Sequence, residues 1–247
     1  MFPIHDDNPT HRPPIVTVAL IAACILIYFW QVSLGPQGGA QAVYSFGFIP
    51  ALLFTDVTLP PDLAVIPPSA TLVSSMFLHG GFMHLAGNML YLWVFGNNIE
   101  DVCGHGRFLA FYLACGVAAA FAQAVPDPGS QVPMIGASGA ISGVLGAYLL
   151  LFPHARVHVL IWLGLIWLRT IPAGWLLAFW FVFQLLSGLG SDPSQAGVAF
   201  WAHIGGFLAG MALIFAFRDR RFKIGGGRRA RVRGRSRIPR TRSGPWG

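Results

Sequence analysis

Six stretches of this 247-residue chain are apolar over nearly the length a bilayer requires: residues 15–34, 77–95, 108–125, 137–152, 171–189 and 199–217. An α-helix needs about 20 such residues to cross the hydrocarbon layer, because it rises only about 1.5 Å per residue. The fourth stretch is short for that task. Within lipid a backbone must satisfy its own hydrogen bonds, so runs of this kind fold as helices. Charge agrees: 10% of the residues are charged, against about 25% in soluble domains. The expectation is an all-α membrane protein, a single bundle of six transmembrane helices.

Six spans put both termini on one side, and the basic residues test that topology. Arg12, Arg107, Arg156, Arg169 and the C-terminal basic residues then share one face, cytoplasmic by the retention of Lys and Arg on that side. The opposite loops hold Asp56, Asp62, Asp127 and Asp192 but no Lys or Arg. One span more or fewer would break this separation. The chain divides into a cytoplasmic N-terminal segment (1–14), the six-span domain (15–217) and a basic tail (218–247). That tail sets 12 Lys/Arg against Asp219, and the remainder carries 4 basic and 8 acidic residues. Rich in Gly and Arg, it is expected to be disordered and to sit on anionic lipid. Nucleic-acid binding is the weaker reading, since no aromatic residues are interleaved among the arginines. Residues 1–14 are polar and proline-rich, without a signal-peptide pattern. With no transit peptide either, this favours a plasma (inner) membrane.

Three further segments draw expectations. Residues 35–76 form a long, proline-rich outer connection, longer than an ordinary loop. Residues 157–168 are apolar but too short to span, and read as interfacial or partly inserted. Cys24, Cys103 and Cys115 read as small buried residues rather than a disulfide framework.

Polar groups inside spans are costly and default to functional candidates. His79, His84 and Asn88 open the second span, Gly136-Ala137-Ser138-Gly139 the fourth, and Ala202-His203-Ile204-Gly205-Gly206 the sixth. All three spans enter from the outer face, so the clusters lie at one depth. Gly139 and Gly143, and Ala202, Gly206 and Gly210, recur at four-residue spacing, which lets two helices approach backbone to backbone. Ser138 would thereby meet His203. Alone, Ser138 would more often bond a backbone carbonyl and His203 would be an interhelical donor; the matched depth favours the pair. A serine hydroxyl needs an adjacent base to become a nucleophile, and imidazole serves near neutral pH. His84 and Asn88, one turn apart, share a helix face and can donate to an oxyanion. No Asp or Glu falls inside a span, so the expectation is a dyad.

The motifs His84-Leu85-Ala86-Gly87-Asn88, Gly136-Ala137-Ser138-Gly139 and Ala202-His203-Ile204-Gly205-Gly206, in this order, resemble the signature motifs of the rhomboid intramembrane serine proteases, over nearly all of residues 15–217. The resemblance implies a six-span, bacterial-type rhomboid-like bundle whose water-filled cavity opens outward. It implies Ser138 as nucleophile, His203 as base, and His84 and Asn88 as oxyanion donors with the Ser138 amide. It places His79 at the cavity rim. Substrates would be transmembrane proteins cut at or near a span. The span at 171–189 would act as lateral gate, and the loop at 190–198 would cap the cavity. Some members carry a tyrosine under the catalytic imidazole, where this chain has Ser142; some carry a Trp-Arg pair in the first loop, which is lacking here.

The rival readings are a non-catalytic rhomboid-like protein that binds membrane helices, and a small transporter. Retention of both Ser138 and His203 counts against the first, and the absence of intramembrane charges against the second. No His-Glu-x-x-His sequence occurs, so no metal or other cofactor is expected. His154 and His158 read as an interfacial pair, and His5, His11 and His105 as loop residues without partners.

Overall fold

All six apolar runs are helical in the computed structural model, which describes residues 2–162, 164–191, 197–225 and 227–228. The helices are α1 (Ile15–Ser33), α5 (Phe82–Cys103), α6 (His105–Ala124), α7 (Ser138–Leu151), α8 (Ala173–Leu189) and α9 (Phe200–Phe217), with three short ones between α1 and α5. Among the described residues α1, α6 and α9 are long and apolar enough to cross a membrane, while α7 and α8 are apolar but shorter. The outer faces agree with a lipid surround: on α8, Trp175, Phe179, Leu186 and Leu189 are all exposed.

Helix α7 is the centre of the bundle, buried along nearly its whole length. Its glycines make that position tenable. A Cβ on Gly206 would strike the Gly139 carbonyl, one on Gly210 the Gly143 carbonyl, and one on Gly146 the Phe207 carbonyl. The backbones of α7 and α9 are therefore in direct contact, as small-residue faces allow. The connection at 35–76 is ordered rather than loop-like. It holds α2 (Gly35–Phe46), α3 (Pro50–Phe54), α4 (Pro68–Ser74) and a 3-10 turn (Ser75–Phe77). Each of these α-helices has proline in its first turn, where the missing N–H is no loss.

The opposite end of the bundle departs most from expectation. Residues 157–162 and 166–168, from the stretch read as interfacial or partly inserted, belong to an antiparallel hairpin of β2 (Arg156–Trp162) and β3 (Ile166–Pro172). Strand β1 (Phe2–Asp6), from the segment read as polar and proline-rich, pairs with β2 to complete a sheet ordered β1-β2-β3. Alternation explains it: Val157 and Val159 point into the helical core, fully buried, as a two-residue period requires. The Asp6 carboxylate ties the sheet down by accepting from Tyr148 Oη at 2.5 Å and Asn98 Nδ2 at 2.9 Å.

Helix α5 also runs past the expected end of its span, carrying Glu100, Asp101 and Cys103 inside it. An acid within that helix was not expected. Glu100 is completely buried, and its carboxylate accepts from Val16 N at 2.9 Å, Thr17 N at 2.8 Å and Thr17 Oγ1 at 2.7 Å. Those amides belong to the first turn of α1, which lacks intrahelical partners, so the acid caps the neighbouring helix. His105 is not partnerless either: its Nδ1 bonds Glu100 at 2.6 Å. His5 stacks on His158, His158 bonds Asp7 and Thr170, and the His11 amide reaches Asp101. The three cysteines are free and buried, and Cys103 ends α5. Residues 192–196, within the expected cap at 190–198, and residues 229–247 of the basic tail lie outside the described residues.

Candidate active site

Ser138 is the first residue of α7, so its N–H lies outside the helix's own ladder. The chain reaches it through Gly136 at φ +119°, a conformation open to glycine. Gly136 is also pressed against α5: a Cβ there would lie 2.7 Å from the His84 ring. Its amide bonds the Ser75 carbonyl at 2.8 Å. Helix α9 brings His203 to the same point, where its Nε2 lies 2.8 Å from Ser138 Oγ. Two residues 65 apart in sequence are therefore in hydrogen-bond contact. Behind the serine, Ser142 Oγ donates to the Ser138 carbonyl at 2.7 Å.

The imidazole is held from its far side by α8. His203 Nδ1 meets Gln184 Oε1 at 2.8 Å, and the Trp180 ring lies 5.9 Å away at a 38° tilt. An amide oxygen can only accept, so this contact is compatible with a proton on Nδ1 and an accepting Nε2 facing Ser138. Gln184 is buried in a helix that is apolar on both sides of it, from Trp175 to Leu186. Sequence reading passed over both residues; a lone amide within an apolar run was the available signal.

Facing the pair, α5 presents His84 and Asn88. His84 Nδ1 accepts from the Gly80 amide at 3.4 Å, which leaves Nε2 as the donor. Asn88 is buried, and among the described residues its Nδ2 has no hydrogen-bond partner. A Cβ at Gly136 would lie 3.7 Å from that nitrogen, so both donors converge on the segment leading into Ser138. His79 stands elsewhere than expected. It is buried one layer behind, edge-on to the His84 ring at 5.2 Å, and its amide donates to Gln31 Oε1 at 3.0 Å. Gly80 and His84 line the cavity at this site, and the buried His79 does not. Ser138, His203, His84, Asn88, Trp180 and Gln184 all line one cavity of about 800 Å³. It extends to the loop residues Asp127 and Ser130 at the end where α5, α7 and α9 begin. A cavity of that size takes an extended peptide segment and water.

Comparison with known proteins bears on the family. The model of the Rhomboid domain matches residues 69–220, more than half of the chain. Rhomboid protease GluP of Bacillus subtilis is 35% identical over 197 residues, covering 80% of this chain and 34% of that protein. Rhomboid protein 1, mitochondrial, of Saccharomyces cerevisiae is 31% identical over 145 residues, 57% of this chain and 40% of its own length. The human presenilin-associated rhomboid-like protein, mitochondrial, is 37% identical over 100 residues, 38% of this chain and 26% of its own. The chain thus spans between a quarter and two fifths of these relatives. The apolar helices make it a membrane protein, and the domain match, together with the shared sequence, places the chain in the rhomboid family.

Proposed function

We propose that this protein is an intramembrane serine endopeptidase that cuts the spans of other membrane proteins through a Ser138–His203 dyad. The 2.8 Å contact between His203 Nε2 and Ser138 Oγ carries the reading. Ser138 Oγ attacks the scissile carbonyl carbon and its proton passes to Nε2. The resulting oxyanion takes hydrogen bonds from His84 Nε2, Asn88 Nδ2 and the Ser138 amide, donors in place before the reaction. Collapse expels the amine, which takes the proton from His203, and an acyl-serine remains. Water then attacks the acyl group with His203 again as base, releasing the acid and restoring Ser138. No cofactor enters these steps.

The remaining features of the reading rest on charge, on hydropathy and, for the role of α8, on the rhomboid resemblance. Six spans with both ends cytoplasmic put every Lys and Arg on one face of a plasma membrane and the cavity mouth on the other. The basic tail at 218–247 then lies against anionic lipid. Helix α8, with its exposed aromatic face, is the lateral entry for substrate spans. The test is cleavage of a transmembrane reporter in proteoliposomes by wild type, Ser138→Ala and His203→Ala. Cleavage by wild type alone is expected. Cleavage persisting in both variants would overturn the assignment, and capture of the reporter without cleavage by wild type would favour a binding protein.

A further inference from the structure

A base in a serine hydrolase needs its proton on the nitrogen away from the nucleophile, and hydrolases commonly enforce this with a carboxylate. Here, among the described residues, no carboxylate bonds His203. Its two polar partners are Ser138 and Gln184, and the titratable groups sharing its cavity are His84 on α5, Tyr91 on α5 and Asp127 on the loop before α7. Gln184 sits on α8, one turn beyond Trp180, whose ring lies beside the imidazole. It is 6% exposed, and its amide oxygen is placed where a carboxylate oxygen would otherwise stand.

We propose that Gln184 is the positioning residue of this site: its amide oxygen holds the Nδ1–H tautomer of His203 and so turns the basic Nε2 towards Ser138. This rests on the Ser138–His203 reading above. A neutral amide does the orienting work without placing a second charge in an apolar bundle, where a buried carboxylate is costly. Because α8 supplies both the acceptor and the flanking ring, the base is in register only while α8 is seated against α9. A substrate span that displaces α8 outward must let it return before Ser138 is activated.

The test is a tautomer measurement joined to kinetics. The full chain is labelled with ¹⁵N-histidine in proteoliposomes, and solid-state NMR reads which ring nitrogen of His203 is protonated, with His203→Gln supplying the assignment. Wild type is expected to carry the proton on Nδ1. In Gln184→Leu the Nε2–H form appears, and kcat falls roughly 10–100-fold with KM little changed, as misorientation of a catalytic group produces. Gln184→Glu keeps the acceptor and the volume; it holds the Nδ1–H tautomer but stabilises the imidazolium, so the acidic limb of the kcat/KM profile moves to higher pH. Should Gln184→Leu fail to fold, the Gln184→Glu profile decides. An Nε2–H tautomer in wild type, or unchanged tautomer and pH limb in the variants, overturns the proposal. Failure of the protease reading shows separately, as absence of Ser138-dependent labelling by a fluorophosphonate in wild type, and the tautomer measurement then judges Gln184 alone.

Discussion

Gly210 and Gly143 are in backbone contact: a single methyl group added to Gly210 would overlap the Gly143 carbonyl. This contact, with its neighbour between Gly206 and Gly139, sets the separation of α7 and α9 and hence of Ser138 and His203. Gly210→Ala therefore costs about 1–3 kcal/mol in overpacking. It also spreads the two helices, so fluorophosphonate labelling of Ser138 falls further than the loss of folded protein explains. Thermal melting and labelling on the same proteoliposome preparation check this. Wild-type labelling in a folded variant would show that the contact does not set the dyad distance.

Among the described residues the buried Asn88 amide nitrogen, beside the segment that leads into Ser138, has no hydrogen-bond partner. No protein hydrogen bond is lost with it, so Asn88→Ala should leave the melting temperature little changed. It should lower kcat by about 10²-fold, the scale of losing one oxyanion donor. Kinetics on a transmembrane reporter, with KM measured alongside, separate the two effects. A large KM change at constant kcat would assign Asn88 to substrate binding.

Burial holds the Asp6 carboxyl above its ordinary value, against the opposing hydrogen bond from Tyr148. The folded state then binds this proton more tightly than the unfolded chain does. The stability it contributes is complete below the unfolded value and is lost as pH rises through the folded one. Protection of the β1 amides from hydrogen exchange should accordingly decline as pH climbs from about 4 upward, after correction for intrinsic exchange. Asp6→Asn, which keeps one oxygen acceptor for Tyr148, flattens that dependence. An equal slope in wild type and variant would remove Asp6 as its source.

How much of this molecule was legible beforehand depended on range. The six helices followed from runs of apolar residues, because helix formation in lipid is a local matter of satisfying backbone groups. Ser138 and His203 were visible as polar residues at one depth on small-residue helix faces, and the close approach that joins them was written in the spacing of Gly139, Gly143, Gly206 and Gly210.

The tertiary structure alone decided what depends on partners distant in sequence. Glu100 looked like a polar residue beyond a span, yet it caps α1 from 84 residues away. Residues 157–160 gave no sign in sequence that β1, over 150 positions earlier, pairs with them. Gln184 was one amide among apolar neighbours, and only the packing of α8 on α9 put its oxygen against His203. Local hydropathy determines which segments become helices; which buried donor finds which acceptor is set by packing, since each such group must be satisfied wherever the fold happens to bring a partner.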